Sequence, residues 1–173
     1  MTVGRVVPVL NIIKDRSTNM YRVLITDDEK IEREGIKFLL AQEEGEYEIH
    51  EAANGRQALN VLRSEEIDFL LTDIKMPHMD GLELASKVRE EYPNLPIVIF
   101  SGYSDFAFAQ EAMRYGVKDY VLKPVDPDTF HTTIGKVKAE LQSIRSKKQK
   151  EEKGKNFLLQ YFLQTYLLSL IHI

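Results

Sequence analysis

Several polar side chains stand directly after short apolar runs in this sequence of 173 residues. They are Asp27, Asp28, Asp73, Ser101 and Lys123. Taken singly, an Asp at such a position is more often a turn former or a helix N-cap than a functional group. If the fold brings the whole set together, three carboxylates repel one another unless a cation compensates their charge. A carboxylate-rich, all-oxygen set favours Mg²⁺, and Asp73 could then act as a nucleophile toward a phosphoryl group, with Lys123 offsetting charge on the phosphoryl oxygens.

Five strand-like runs alternate with segments of helical periodicity and would position these side chains. The predicted strands cover residues 21–27, 48–53, 69–73, 97–101 and 119–123. The predicted helices cover residues 29–42, 55–66, 82–92, 105–115 and a long segment from about Pro127. Gly and Pro residues fall between the runs, as expected of turns.

This alternation predicts an α/β, doubly wound domain, with a parallel sheet and helices on both of its faces. The continuous apolar runs Val23-Leu-Ile, Phe69-Leu-Leu and Ile97-Val-Ile-Phe are typical of strands buried on both faces. In open parallel sheets, ligands bind beyond the carboxyl ends of the strands, where the strand order reverses. We therefore expect the five polar residues to meet at that edge.

Four sequence blocks carry a resemblance to a known family. They are Ile-Thr-Asp27-Asp28-Glu, Asp73-Ile-Lys-Met-Pro77-His-Met-Asp-Gly81, Ser101-Gly102, and Tyr120-Val-Leu-Lys123-Pro124. From about Met20 to Ser143 the chain resembles the receiver (CheY-like) domain of two-component response regulators. The resemblance implies a five-stranded sheet of order 2-1-3-4-5, as in flavodoxin-like three-layer sandwiches, with a C-terminal helical extension. It also implies a cis peptide bond between Lys123 and Pro124.

The resemblance assigns a role to each residue of the acidic set. Asp73 would be the phosphoacceptor, and a sensor histidine kinase would supply the phosphoryl group. Asp28 would bind Mg²⁺ directly and Asp27 through water, while the backbone carbonyl of Lys75 would complete the protein's share of the ligands. Lys123 would contact the phosphoryl group. The protein would then be a signalling switch that catalyses only its own phosphorylation and dephosphorylation, and not an enzyme.

Two further residues take switch positions in the same resemblance. The Ser101 hydroxyl would swing toward the phosphoryl oxygen, and the ring of Tyr120 would turn inward as it does so. A phosphorylation-linked homodimer through the fourth helix, fifth strand and fifth helix is implied as the readout.

The stretch Ser101-Gly-Tyr-Ser-Asp-Phe-Ala-Phe-Ala-Gln is most similar to receivers that a long linker joins to an AraC-type helix-turn-helix. This resemblance implies control of transcription through a DNA-binding output domain that the present chain does not encode. Direct DNA binding by the chain itself is disfavoured. Of the total charge of −4, residues 1–19 carry +2 and residues 126–173 carry +3, which leaves −9 for residues 20–125.

Composition narrows the classes of protein to which the chain could belong. With 43% hydrophobic and 29% charged residues the chain is typical of globular proteins, and without cysteine it has neither disulfides nor thiolate metal sites. The four His residues lack the spacing of a zinc site. The longest apolar stretch, residues 161–173, is too short to span a bilayer, and residues 1–19 lack the features of a secretory signal. We therefore expect a cytoplasmic protein with no membrane contact.

The chain divides into three predicted parts. Residues 1–19 form a poorly ordered extension, residues 20–145 the receiver domain, and residues 146–173 a charged linker and an apolar helical tail. The tail is interpreted as the start of a missing output region, and pairing with a second chain is the alternative. Phe130, Ile134, Val137, Leu141 and Ile144 recur at spacings of three and four. This seam is interpreted as the core face of the last helix, and a dimeric coiled coil is the alternative.

Two other functions fit part of the pattern. A phosphatase of the haloacid dehalogenase type also forms an aspartyl phosphate on a similar sheet, but its nucleophile and acid lie two residues apart after the first strand. Here the first strand is followed by adjacent acids. The other alternative is a pseudo-receiver, an interaction module that is never phosphorylated.

Overall fold

A computed structural model describes residues 20–102 and 106–171 of the chain. In these residues five strands alternate with five helices. The strands are β1 (Met20–Thr26), β2 (Glu46–Ala52), β3 (Phe69–Thr72), β4 (Ile97–Ser101) and β5 (Asp119–Leu122). The helices are α1 (Lys30–Leu40), α2 (Gly55–Ser64), α3 (Gly81–Glu91), α4 (Phe106–Arg114) and α5 (Pro127–Ile171). The predicted boundaries differ from these by one or two residues, and the predicted extension over residues 1–19 lies outside the described residues.

The strands form one parallel sheet of order β2-β1-β3-β4-β5, which confirms the predicted topology. The strand β1 lies between β2 and β3, so the chain leaves β1 toward one side of the sheet and later returns to the other side. Thr26 at the end of β1 is paired with both Ala52 and Thr72. The carboxyl ends of β1 and β3 therefore lie side by side where the strand order reverses, which is where ligands bind in such sheets.

The hydrophobic core has two halves, one on each face of the sheet. Residues of α2, α3 and α4 pack against one face, among them Leu59, Leu84, Val88 and Ala112 over Leu70 and Ile99. Residues of α1 and α5 pack against the other, among them Ile36, Leu40, Phe130 and Ile134 over Ile25, Phe69 and Phe100. Every residue of β3 and β4 is buried, as the continuous apolar runs predict.

The helix α5 has two parts with different surroundings. Its first turns bury Phe130, Ile134, Val137 and Leu141, and Ile144 is half-buried. The seam predicted from sequence is thus the core face of the helix, and its side chains are not free to form a coiled coil with another chain. Beyond it α5 continues as one helix through the charged run and the apolar tail.

Contacts at the sheet edge hold the start of α5 in place. The Lys138 ammonium lies 5.7 Å from the ring centre of Tyr21 and 5.5 Å from that of Tyr47. Farther along the helix, the Arg145 guanidinium lies 5.3 Å from the ring centre of Tyr21 and 3.3 Å from a carboxylate oxygen of Asp68. The part of α5 that follows Arg145 is exposed at every residue through Ile171. No helix in the described part of the chain is long and apolar enough to cross a membrane.

Candidate functional site

Three carboxylates converge at the carboxyl edge of the sheet. Asp27 and Asp28 follow β1, and Asp73 follows β3. The two strands are held in register there, because the backbone N–H of Asp73 donates to the carbonyl of Thr26 at 2.9 Å. One carboxylate oxygen from each of the three acids lies within 4.8 Å of the others. The predicted acidic set is therefore a real cluster.

Lys123 follows β5, at one edge of the sheet, and its side chain reaches this cluster. Its backbone N–H donates to the carbonyl of Ser101 at 2.8 Å, and the following bond to Pro124 is cis, as predicted. Its ammonium lies 2.8 Å from Oδ2 of Asp27 and 3.8 Å from Oδ1 of Asp73. Burial opposes the positive charge, but the hydrogen bond to Asp27 and the neighbouring acids outweigh it and raise the pKa of Lys123. The side chain is a fixed cation at neutral pH.

Asp27 is bonded at both carboxylate oxygens. It is 1% exposed, its Oδ1 accepts from the backbone N–H of Glu29 at 2.9 Å, and its Oδ2 accepts from Lys123. Its backbone carbonyl accepts from Arg33 at 2.7 Å. Asp28 beside it is exposed. The two adjacent acids therefore differ, since Asp27 is fixed in position while Asp28 is open to a ligand.

Asp73 is held in an environment that opposes its charge. Burial raises the pKa of its carboxyl to about 6, with Asp27 and Asp28 adding to that rise, while Lys123 and a backbone hydrogen bond from Ile74 counteract it. Its Oδ1 is buried and has no hydrogen-bond partner within the described ranges. A carboxylate oxygen that is buried, without a hydrogen bond and close to two other acids is suited to a cation or to bond formation.

The loop after β3 fixes the backbone of Asp73. The Thr72 hydroxyl donates to the carbonyl of Asp73 at 2.9 Å, and the N–H of Gly81 donates to the carbonyl of Ile74 at 2.7 Å. A Cβ at Gly81 would lie 1.9 Å from the Asp73 carbonyl oxygen. Only glycine permits the start of α3 to approach β3 so closely. Asp80 caps α3 by accepting from the N–H of Glu83 at 2.8 Å.

A cleft of about 880 Å³ opens over the cluster. Its polar wall includes Asp28, Glu32, Asp73, Lys75 and Lys123. Its apolar wall is formed by Ile36, Leu39, Phe100, Pro124 and Val125. A charged group can therefore enter beside Asp73 while part of its carrier contacts apolar surface.

The remaining predicted residues lie around the same edge. Ser101 is fully buried at the end of β4, and Tyr120 is half-buried on β5 and packs against the core half that contains α2, α3 and α4. Lys75 is exposed and lines the cleft. Their proposed roles in switching and, for the Lys75 carbonyl, in metal binding stay predictions.

Glu32 is a site residue that the sequence interpretation missed. Its carboxylate lies 3.4 Å from the Lys123 ammonium, so it competes with Asp73 for the same cation. The signal in the sequence was its short spacing from the acidic pair, because Glu32 lies in the first turn of the helix that follows Asp27 and Asp28. Without knowledge of where Lys123 lies, the spacing alone did not identify it.

The family of the chain follows from comparison with known proteins. The response regulator receiver domain family matches residues 23–135. The chain belongs to this family. The match covers both Asp73 and Lys123, and the receiver domain therefore includes all five strands and the first turns of α5.

Three similar proteins illustrate the relationship. Over 132 residues the chain is 38% identical to the uncharacterized transcriptional regulatory protein YesN of Bacillus subtilis (strain 168), which is 75% of this chain and 36% of YesN. The receiver domain of AraT, a response regulator from Geobacillus stearothermophilus, is 40% identical, with a TM-score of 0.65 over 72% of this chain and 98% of that one. The response regulator TrrA from Thermotoga maritima, solved in complex with Mg²⁺-BeF, is 32% identical, with a TM-score of 0.62 over 68% and 99%.

The chain spans 36% to 52% of the length of the first curated relatives that it matches. The similarity therefore concerns the receiver domain and does not extend to the remaining length of those proteins.

Proposed function

We propose that this receiver domain accepts a phosphoryl group from a sensor histidine kinase onto Oδ1 of Asp73 and thereby switches an output function. The observation that carries the proposal is the buried Oδ1 of Asp73, which has no hydrogen bond within the described residues and lies beside the Lys123 ammonium and two further carboxylates. The chain is a signalling switch, and the chemistry proposed for it is limited to its own phosphorylation and dephosphorylation.

The acidic cluster fits Mg²⁺. Three carboxylates that repel one another and one carboxylate oxygen without a hydrogen bond are the donor set that a hard divalent cation satisfies. Asp28 and Asp73, with the backbone carbonyl of Lys75, would hold the ion directly, and Asp27 would act through water. When bound, the ion supplies positive charge that offsets the charge of the phosphoryl oxygens. The presence of Mg²⁺-BeF in the TrrA complex supports this choice of metal.

In phosphoryl transfer, Asp73 would act as the nucleophile and Lys123 would stabilise the developing charge. Asp73 is ionised at neutral pH because its pKa is about 6, so Oδ1 carries an electron pair with which to attack phosphorus. The new bond joins this oxygen to phosphorus, and the bond from phosphorus to the donor's imidazole nitrogen breaks. The leaving imidazole keeps the electron pair of the broken phosphorus–nitrogen bond and takes up a proton from solvent. Lys123 places its ammonium against the transferring oxygens, which is electrostatic stabilisation of developing charge.

Two steps would carry the signal away from Asp73. The Ser101 hydroxyl would turn toward the phosphoryl oxygen, and Tyr120 would move inward into space near the end of β4. This changes the surface of α4, β5 and the start of α5, through which we expect phosphorylated chains to pair. The relationship to YesN, a transcriptional regulatory protein, supports transcription as the output through a DNA-binding domain, of the AraC type by resemblance, outside this chain.

The geometry does not favour a phosphatase of the haloacid dehalogenase type. That type carries its nucleophile and its acid two residues apart after the first strand, whereas here the adjacent acids Asp27 and Asp28 follow β1 and Asp27 is buried and bonded at both oxygens. A pseudo-receiver is disfavoured because Asp73, the two acids after β1 and Lys123 lie together.

The test is phosphorylation of the purified chain by a small phosphodonor, acetyl phosphate, with Mg²⁺. Intact mass should rise by one phosphoryl group, the adduct should be labile to hydroxylamine as an acyl phosphate is, and omission of Mg²⁺ should abolish it. The Asp73→Asn variant should remain unmodified, and Asp80→Asn, a nearby acid outside the cluster, should be modified normally. An adduct that persists in Asp73→Asn would refute the assignment.

A further inference from the structure

The end of α5 is an exposed helix with an unusual amount of apolar surface. Between Asn156 and Ile171, eleven large apolar side chains are each at least 50% exposed. They are Phe157, Leu158, Leu159, Tyr161, Phe162, Leu163, Tyr166, Leu167, Leu168, Leu170 and Ile171. No described residue outside the helix covers them, since the hydrophobic core of the domain ends at Leu141.

The area involved is that of a protein interface. An exposed aromatic or leucine side chain presents on the order of 100 Å², so the segment offers on the order of 1,000 Å² of apolar surface. A standard protein interface buries about 800 Å² on each partner, while isolated apolar patches on monomers rarely exceed a few hundred Å². The whole segment thus exceeds an ordinary solvated apolar patch, and the six residues of one face, at roughly 600 Å², match one side of a small protein interface.

Apolar residues occur on every side of this helix, and six of the eleven form one continuous stripe. With 100° between successive residues, Leu159, Phe162, Leu163, Tyr166, Leu167 and Leu170 lie on one continuous face, here called the tail face. Leu159, Leu163, Tyr166 and Leu170 follow one another at spacings of four, three and four. This is the d-a-d-a pattern of a coiled coil. The register is distinct from that of Phe130, Ile134, Val137 and Leu141, which face the sheet.

Asn156 decides how two such faces would pair. It occupies the a position one turn before Leu159, in line with the tail face, and it is exposed. In a parallel pair of helices the two copies of Asn156 meet and bond to each other through their amides, whereas in an antiparallel pair each amide would face apolar side chains without a partner. A single buried Asn at an a position is the feature that selects parallel, two-stranded pairing.

The charged run before Asn156 limits the interface. The preceding a and d positions are Gln149 and Glu152, and Lys148, Lys153 and Lys155 surround them. Two copies of this run would repel each other, so the interface begins at Asn156. The eleven residue steps from Arg145 to Asn156 add a helical spacer of roughly 16 Å, which separates the receiver domains from the point of contact.

We propose that residues 156–171 form a parallel two-stranded coiled coil with the same segment of a second copy of this chain. The receiver domain is then held as a dimer whether or not Asp73 is phosphorylated. This interface is separate from the phosphorylation-linked surface of α4, β5 and the start of α5.

Sedimentation equilibrium of the full chain tests the pairing. The unphosphorylated protein should be a dimer, and Asp73→Asn should dimerise equally. Leu163→Glu, on the tail face, should weaken association at least 100-fold. Leu168→Glu makes the same chemical change at equal exposure, 53% against 52%, on the outer side of the helix, and should stay within about threefold of the unmodified chain. Unfolding midpoints of both variants should match, because neither side chain enters the core.

Three outcomes would overturn the proposal. They are a monomeric unmodified chain at all concentrations to 100 µM, equal weakening by both variants, or a dimer that Asp73→Asn abolishes. Failure of phosphorylation with an intact dimer would instead remove only the proposed function.

Orientation can be read with single cysteines, because the chain has none of its own. In a parallel pair Asn156→Cys lies next to its own copy, so copper-phenanthroline should oxidise the two thiols to a disulfide-linked dimer. An antiparallel pair would separate them by roughly 20 Å. Gln164→Cys, on the outer side, is the control and should cross-link poorly. Absence of cross-linking for Asn156→Cys in a chain that sediments as a dimer would reject the parallel arrangement.

Discussion

At the scale of single residues, the burial of Asp73 disfavours the negative charge of its own carboxylate. Its pKa of about 6 lies above the ordinary 3.8 because it is buried near two other acids. The folded state therefore binds this proton more tightly than the unfolded state, and stability falls as the pH rises from about 4 to about 6. Above that range the cost of the buried charge remains until a cation offsets it.

Asp73→Asn should consequently stabilise the metal-free protein at high pH. At pH 8 in chelator we expect its free energy of unfolding to exceed that of the unmodified chain by on the order of 2 kcal/mol, with no difference near pH 4. Urea unfolding at the two pH values measures this. Glu65→Gln, an exposed acid after α2, is the control and should show no pH-dependent difference. A destabilised Asp73→Asn at pH 8 would contradict the prediction.

The second residue-scale feature is the division of the Lys123 ammonium among three carboxylates, those of Asp27, Glu32 and Asp73. Glu32 is the most exposed of the three and the one outside the proposed chemistry. Its effect should be to hold part of the positive charge away from Asp73.

Glu32→Gln should therefore speed phosphorylation by acetyl phosphate, by about two- to fivefold, since a partly exposed ion pair contributes about 0.5–1 kcal/mol. The rate of mass increase under excess donor measures it. Glu29→Gln removes the same charge from the same end of α1 but makes no ion pair with Lys123, and it should change the rate less. Equal acceleration in both variants would point to net charge and would reject a specific role for Glu32.

At the scale of elements, the short loop between β3 and α3 determines where Asp73 can stand. Gly81 begins α3 against the backbone of Asp73, and Asp80 caps the helix. The hydrogen bond from Gly81 to Ile74 ties the two elements directly. Any side chain at Gly81 must push α3 away from β3 or displace the Asp73 backbone.

Gly81→Ala should thus cost about 1–3 kcal/mol of folding stability and lower the phosphorylation rate, because overpacking here moves the backbone of the acceptor. Gly135→Ala on α5 is the matched substitution. Apart from its chain neighbours and the helix's own backbone, no atom of the described residues lies within 4 Å of a Cβ at Gly135, and alanine favours helix, so stability should be unchanged or rise by up to about 1 kcal/mol. Thermal unfolding and the acetyl phosphate assay follow both variants. A harmless Gly81→Ala would show that the loop adapts.

At the scale of the whole molecule, the two halves of the core contain no residue beyond Leu141. The last contacts of α5 with the sheet are those of Arg145 with Tyr21 and Asp68. The predicted division, with a receiver domain of residues 20–145 followed by a charged linker and an apolar helical tail, stays a prediction that a shortened chain can test.

A chain of residues 20–145 should therefore fold by itself. We expect cooperative thermal unfolding with a midpoint within about 5 °C of the full chain, unchanged phosphorylation by acetyl phosphate, and a monomer in the unphosphorylated state. Calorimetry, intact mass and sedimentation provide the three readouts. Loss of cooperative unfolding would show that the tail is part of the domain.

The sequence alone determined the alternation of strands and helices, the parallel sheet and the acidic set, because hydrophobic periodicity and the polar ends of apolar runs are local properties of the chain. It also identified the apolar tail. It could not establish that Asp27 is bonded at both oxygens while Asp73 keeps one oxygen without a hydrogen bond, nor that Glu32 competes for Lys123. Those facts depend on distances between residues as far apart as 27 and 123, which the sheet order and the packing of α1 and α5 set. Likewise, periodicity identified the Phe130 to Leu141 seam, but only tertiary packing showed that the sheet of the same chain covers it and leaves the later tail face free.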